Sequence, residues 1–264
     1  MVTLAAEVLP TQCRMAAVRL LKSGVAEVQA TSSWSASDPD LIDKLRAFRR
    51  RYGLPQDVRL AVWPKPHNRG VLKPLVQTWS EQAPPTLSPL RLRDAAAPFV
   101  RAGYSVADAI PAHEGIKAAA KRLDVTAALV LALNAECGAI VAPSGAVAYM
   151  AWDVDSLQPD GPKELLVRYQ FAAAVSPKLR ALFAERADAV VAYGGLPRLR
   201  SFVMPLVEEL DQDVMVIDQP EPGVIWPREI AADQDAISSL QVVLAAGLRL
   251  DAPDDGVHIP FRFC

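Results

Sequence analysis

One order of elements occurs twice along this chain of 264 residues, and that repetition constrains the fold more than any composition figure does. Apolar and β-branched runs at 2–9, 13–21 and 24–31 are broken at Pro10-Thr11-Gln12 and Lys22-Ser23-Gly24, which predicts three strands joined by hairpin turns. Asp38 can cap a helix with Pro39 at its first position, Leu41, Ile42, Leu45 and Phe48 give that helix an apolar face, and Gly53 ends it. A strand over 57–63, a helix over 90–102, a strand over 104–110 and a helix over 112–123 complete the first half. Between them, Pro64, Pro66, Pro74, Pro84, Pro85 and Pro89 mark a connection holding at most one short helix. From Thr126 the order restarts. Strands are predicted up to Asn134, from Gly138 to Ala142, and from the turn Pro143-Ser144-Gly145 to Trp152. A helix over 163–185, a strand over 187–193, a helix over 197–210, a strand over 214–218 and a helix over 233–250 follow. Each half reads βββαβαβα, which implies two mixed sheets with helices on their faces, enclosing a cleft.

Composition removes several alternatives. With 28 Lys and Arg against 30 Asp and Glu, the net charge of −2 offers no basic field for nucleic acid. At 51% hydrophobic and 22% charged residues, the chain is too apolar for a mainly disordered one. Cys13, Cys137 and Cys264 have neither CxxC nor metal spacing, which points to a reducing compartment. The opening residues lack the basic and apolar regions of a secretory signal. The apolar stretch from Val125 to Trp152 is interrupted by Asn134, Glu136, Pro143 and Ser144, so no membrane span and a cytoplasmic location are expected.

Three segments carry a resemblance. Asp188-Ala-Val-Val-Ala-Tyr-Gly-Gly-Leu-Pro-Arg-Leu-Arg-Ser-Phe, followed by Val214-Met-Val-Ile-Asp218, is similar to the strand, paired glycines and helix of the actin, sugar kinase and Hsp70 superfamily. Residues 236–249 look like its closing helix. Residues 99–115 resemble the crossover into the second half in the PilM-like branch of pilus assembly and type II secretion proteins. The resemblance implies a duplicated ribonuclease-H-like, actin-like ATPase fold. Its first half would span 1–124, with a reduced insertion near 65–89, its second half 125–250, and a C-terminal tail 251–264.

It also implies where a nucleotide would lie. Gly194 and Gly195 stand where the family contacts the adenosine part, and their place between a strand and a helix opened by Pro197 suits either a ligand or a tight turn. Phosphates would be met by the opening hairpin of each half. In the first, Glu7 stands near the family's Asp, Leu9 near its Gly, and Pro10 removes a backbone donor. In the second, Leu131 and Leu133 fall near the key positions, leaving Asn134, Glu136 and Gly138 as the polar or permissive groups. Mg²⁺ is usually held through carboxylates and substrate phosphates, so these departures imply a degenerate site, with no cofactor expected and ATP with Mg²⁺ the ligand if the cleft functions.

Other motifs fall short. Asp153-Val-Asp155 with Asp160-Gly161 suggests a calcium loop, but Leu157 and Gln158 occupy positions that need a ligand and a glycine. His67, His113 and His258 share no metal spacing, and Ser144-Gly145 lacks the frame of a nucleophile elbow. The run Arg49-Arg50-Arg51 suits a solvated helix end better than an acidic partner or a lipid surface. The function implied is a PilM-like adaptor whose partner is an inner-membrane assembly protein resembling PilN, which would hold the chain peripherally at that membrane. Apolar surface near Trp63, Val71, Leu72 and Trp79 is a candidate contact, and core packing accounts for the same residues equally well. The alternatives are an active ATPase or phosphotransferase using Glu7, Asn134 and Glu136, and a subunit that self-associates.

Overall fold

The computed structural model describes residues 2–65, 76–81, 87–152, 157, 164–183 and 189–248, with the backbone alone at 76–81 and 183. In the first half, β1 (Val2–Val8), β2 (Gln12–Leu20) and β3 (Ala26–Ser35) form an antiparallel meander. After α1 (Leu41–Tyr52), β4 (Asp57–Val62) returns parallel to β1. The chain then leaves this sheet for β5 (Val76–Glu81) and comes back through α2 (Pro89–Arg101), β6 (Ser105–Pro111) and α3 (Ala112–Arg122). The second half repeats the plan with β7 (Leu129–Leu133), β8 (Cys137–Val141), β9 (Val147–Trp152), α4 (Glu164–Phe183), β10 (Val190–Tyr193), α5 (Leu199–Leu210) and β11 (Val214–Val216). The short β12 (Val224–Ile225) and α6 (Arg228–Ala231) precede α7 (Gln234–Ser239) and α8 (Gln241–Leu248).

The duplication is visible in the sheets. Their internal orders are β3-β2-β1-β4-β6 and β9-β8-β7-β10-β11, the same sequence of pairings. Each sheet gains one more strand beside the third strand of its meander, and each extra strand comes from the other half of the chain: β12 pairs with β3, and β5 with β9. The proline-rich stretch read as a connection therefore contributes an edge strand, in register from Val76↔Trp152 to Glu81↔Val147. Proline is tolerated around such a strand because Pro74 and Pro84 flank it and leave its ladder intact. The helix expected over 233–250 is two helices meeting at Leu240, with Asp233 capping α7 by accepting from Ala236 N at 3.0 Å. β12 and α6 lie in 219–232, a stretch to which the sequence pattern assigns no element.

Alternation along the strands sorts side chains into three apolar layers. On β1, Leu4, Ala6 and Val8 face α1 and α2, where they meet Leu45, Phe48, Leu92 and Phe99. On β7, Leu129, Leu131 and Leu133 face α4 and α5, where they meet Phe171, Val175, Leu179 and Phe202. The opposite faces of both sheets meet across α3 and α8, which lie between them. These helices pack closely because small residues line them: a Cβ on Gly115 would sit 3.0 Å from Val242 Cγ1. Burial on both faces is why the strands read as nearly unbroken apolar runs. The arginine run closes the fold's surface. Arg46 Nη2 donates to Arg101 O at 2.8 Å and Arg49 Nη1 to Gly103 O at 2.5 Å, so α1's last turns cap the end of α2.

α3 is also pinned to the second sheet by polar contacts. His113 is buried at its start, with Nδ1 3.1 Å from the Tyr149 hydroxyl on β9 and Nε2 3.2 Å from Glu114 Oε1. Lys117 Nζ donates to the same carboxylate oxygen at 2.9 Å. The hydrogen bond from His113, helped by Lys117 and opposed by burial, holds the Glu114 carboxyl at about 2, below its ordinary 4.5.

Two outcomes follow from this packing. Phe171 sits edge-on to Trp152 at 5.3 Å and to Phe202 at 5.4 Å, fully buried. Phe171→Ala is expected to destabilise by about 3–5 kcal/mol, read as a lower urea midpoint at an unchanged slope; a loss within error would mean that α4 is not seated on its sheet. For Glu114, the native carboxylate keeps its charge more firmly than the unfolded one. The stability it supplies is complete above about pH 4.5 and is lost as pH falls toward about 2. The stability gap between the wild type and Glu114→Gln, followed by denaturant titration, should therefore narrow across that acid window and stay constant above it.

Candidate functional site

The two opening hairpins are equivalent in detail. In the first, Leu9 N donates to Gln12 O at 2.8 Å across the turn; in the second, Asn134 N donates to Cys137 O at 2.8 Å. The flanking pairs Val8↔Cys13 and Leu133↔Gly138 match as well. Thr11 and Glu136 thus occupy corresponding positions, and they touch: Thr11 N donates to Glu136 Oε1 at 2.6 Å. The tips of the hairpins meet across the seam between the halves.

Behind that contact lies a buried charge. Glu7 and Arg14 are cross-strand partners in the β1–β2 register, and the inward face of the sheet sends both toward the seam. Arg14 Nη1 lies 3.2 Å from Glu7 Oε2, with side-chain exposures of only 5% and 2%. The same nitrogen donates to Asn134 Oδ1 at 2.6 Å and lies 3.5 Å from Ser239 O, while Nη2 donates to Gln12 Oε1 at 2.9 Å. Glu7 Oε1 accepts from Trp63 Nε1 at 2.7 Å. Burial raises the Glu7 carboxyl above its ordinary range, opposed by the Arg14 charge and the two hydrogen bonds.

The paired glycines complete the cluster. Gly195 N donates to Asn134 Oδ1 at 3.0 Å, so Asn134 joins the glycine turn to Arg14. A Cβ on Gly195 would lie 2.1 Å from Arg14 Nη2, which makes glycine a condition for seating the guanidinium. Gly194 adopts φ +134°, and a Cβ there would lie 1.8 Å from Leu133 O. Its N–H donates to Ser238 Oγ at 3.0 Å.

The structure thus brings Glu7, Asn134, Gly194 and Gly195 into one cluster, with Glu136 beside it at the hairpin tip. Gly138 is elsewhere: its Cα faces Trp152 and Leu133, and a Cβ would lie 2.8 Å from Trp152 Cη2. Leu131 and Leu133 belong to the layer under α4 and α5. Arg14, Gln12 and Ser238 are members that the motifs did not single out. Their signal was an arginine within an apolar strand, on the same face as Ala16 and Val18 and opposite Glu7 across a short hairpin, since such a charge must find a partner. Of the two readings open for Trp63, contact surface and core packing, the second holds: it is fully buried, and its indole N–H serves Glu7. Val71 and Leu72 lie outside the described residues, and so do the side chain of Trp79 and both acidic ends of the suspected calcium loop.

Other chemistry finds little purchase here. Burial pushes the Cys13 thiol up to about 12 and Cys137 well above its ordinary 9.0, so neither is a ready thiolate. Among the described residues, no group of three His, Cys, Asp or Glu side chains is placed to hold a metal ion. No helix of the described residues is long and apolar enough to cross a membrane.

A second feature lies on the far side of the first hairpin. A cavity of about 450 Å³ is walled by Val8 and Leu9, by Leu41 at the start of α1, and by Arg91, Ala95 and Phe99 of α2. Lys65, Asp94 and Ser37 stand at its mouth. Arg91 Nε donates to Trp63 O at 2.9 Å, and Nη2 lies 3.5 and 3.4 Å from Val8 O and Leu9 O. Burial lowers its pKa below the ordinary guanidinium range. The hairpin is thereby shared between cavity and seam.

No protein-family model and no curated protein matches the chain. Solved structures do. The PilM-PilN type IV pilus biogenesis complex aligns at a TM-score of 0.58 and 13% identity, over 94% of this chain and 98% of that one. The ethanolamine utilization protein EutJ from Carboxydothermus hydrogenoformans aligns at 0.56 and 13%, over 94% and 89%. Component A of the Acidaminococcus fermentans (R)-2-hydroxyglutaryl-CoA dehydratase aligns at 0.52 and 10%, over 94% and 96%. At such identities the likeness speaks to architecture alone. Together with the two equivalent sheets, it shows that this chain has the duplicated actin-like ATPase fold of the actin, sugar kinase and Hsp70 superfamily.

Proposed function

We propose that the chain is a PilM-like adaptor, a binding protein of a pilus or secretion-type envelope assembly, whose cleft no longer turns over nucleotide. The observation that carries this reading is the chemistry of the seam. A phosphate group offers acceptors and is held by donors. Here the side chains and carbonyl around Arg14 are acceptors, namely Glu7, Gln12, Asn134 and Ser239 O, and both terminal nitrogens of Arg14 are turned to them. The backbone donors of Leu9, Thr11, Asn134, Gly194 and Gly195 are each bonded within the protein. Pro10 has none. Mg-ATP would have to displace a buried ion pair and to bring carboxylates together that now serve Arg14 and Thr11. The residues present therefore do not suit that group.

The partner is a membrane-anchored protein resembling PilN, one short cytoplasmic segment of which docks on the first half. A PilM-PilN complex among the structural neighbours supports this choice. The cavity between the first hairpin and α2 is where such a segment would lie, because its floor is apolar while Lys65, Arg91 and Asp94 supply charge at its edges.

Calorimetric titration with Mg-ATP should give no binding heat at concentrations up to about millimolar. Micromolar affinity accompanied by phosphate release would replace the adaptor with an enzyme. For the partner, the probe is the cytoplasmic peptide of a single-span inner-membrane protein encoded beside this chain, followed by fluorescence anisotropy. Ser37→Trp fills the mouth of the cavity from an exposed position and should weaken that binding by about tenfold or more. Unchanged affinity would move the docking surface elsewhere.

A further inference from the structure

We propose that Arg14 is a tethered ligand of the cleft: its guanidinium occupies a slot built by both halves and sets their closure in place of any exchangeable molecule. The proposal rests on the reading that the cleft does not turn over nucleotide, and it adds what holds the cleft shut.

The slot has the features of a site made for a guanidinium. A planar group with donors and no acceptor needs acceptors arranged around its edge. Glu7 Oε2 and Gln12 Oε1 supply two from the first half. Asn134 Oδ1 supplies the shortest contact, 2.6 Å, from the second half, and Ser239 O, at the end of α7, lies at 3.5 Å. The glycine at 195 leaves the space that a Cβ would take, 2.1 Å from Nη2. Asn134 then accepts from Gly195 N, and the neighbouring Glu136 accepts from Thr11 N, so the contacts that close the seam are arranged around the arginine. A buried ion pair confined to the first hairpin would need only Glu7. The acceptors reaching in from the second half are what make Arg14 a link between the halves.

The test is amide hydrogen exchange on the full chain carrying Arg14→Ala. Exchange at Thr11 and Gly195 should speed up by about 100-fold while strand amides such as Val130 and Val191 stay protected. About 10 mM methylguanidinium should restore slow exchange, by filling the vacated slot, where methylammonium at equal concentration should not. Unchanged rates at Thr11 and Gly195 would overturn the proposal, and so would faster rates that methylguanidinium fails to slow. If Arg14→Ala does not fold, Asn134→Ala leaves the Glu7–Arg14 pair in place and reads the same Thr11 amide. A faster Thr11 there supports the link. An unchanged one, or global unfolding of both variants, reduces Arg14 to a structural ion pair and overturns it. Failure of this proposal is separable from failure of the adaptor reading, since wild-type protein that binds Mg-ATP sinks the latter whatever the exchange rates are.

Discussion

A single guanidinium held between two sheets organises the centre of this protein. Burying Arg14 with one carboxylate is costly unless its remaining donors are met, and a hairpin alone cannot meet them. Asn134 and the end of α7 do so from the second half. The same demand explains several neighbours. Trp63 is drawn fully into the core because Glu7 has a second oxygen to satisfy. Gly195 leaves room for the guanidinium where it sits, since a Cβ there would meet it. The hairpin tips are held in line by Thr11 and Glu136, which occupy equivalent positions of the two halves.

The exchange of edge strands works in the same direction. β5 leaves the first half to extend the second sheet, and β12 leaves the second to extend the first. α3 and α8 fill the space between, and His113, itself held by Glu114, fastens α3 to Tyr149 of the facing sheet. The two halves are thus joined by backbone pairing, by a shared apolar layer and by two polar clusters. On the adaptor reading proposed above, such rigidity helps, because a surface presented to a partner binds better when it need not be ordered first. The cavity behind the first hairpin shares that support, since Arg91 bonds the carbonyls of Val8, Leu9 and Trp63.

Much of the candidate site was legible because its chemistry follows from position after a recognisable element. Gly194 and Gly195 follow a buried strand, and Glu7, Asn134 and Glu136 lie in or beside the opening hairpins. Arg14 was less visible. Its importance depends on which face of β2 it occupies and on what stands opposite, and both are set by the turn and register. Gly138 illustrates the converse: one step in strand alternation places it against Trp152, on the face away from the seam. Trp63 left contact and core packing both open, because a tryptophan beside a proline carries no mark of whether its indole N–H has found an acceptor.

The sequence by itself determined the doubled βββαβαβα order, because hydrophobic period, turn residues and helix stops are local properties that each segment carries wherever it folds. It also placed Pro10, which has no backbone donor, at the tip of the first hairpin, since a proline is a local fact too. Only the tertiary structure decided that a strand from each half completes the other's sheet, that Arg14 reaches across to Asn134, and that a cavity opens behind the first hairpin. Those outcomes depend on groups distant in sequence, 120 residues apart for Arg14 and Asn134 and 125 for Thr11 and Glu136, meeting at a common place, and no short window along the chain contains both partners of such a contact.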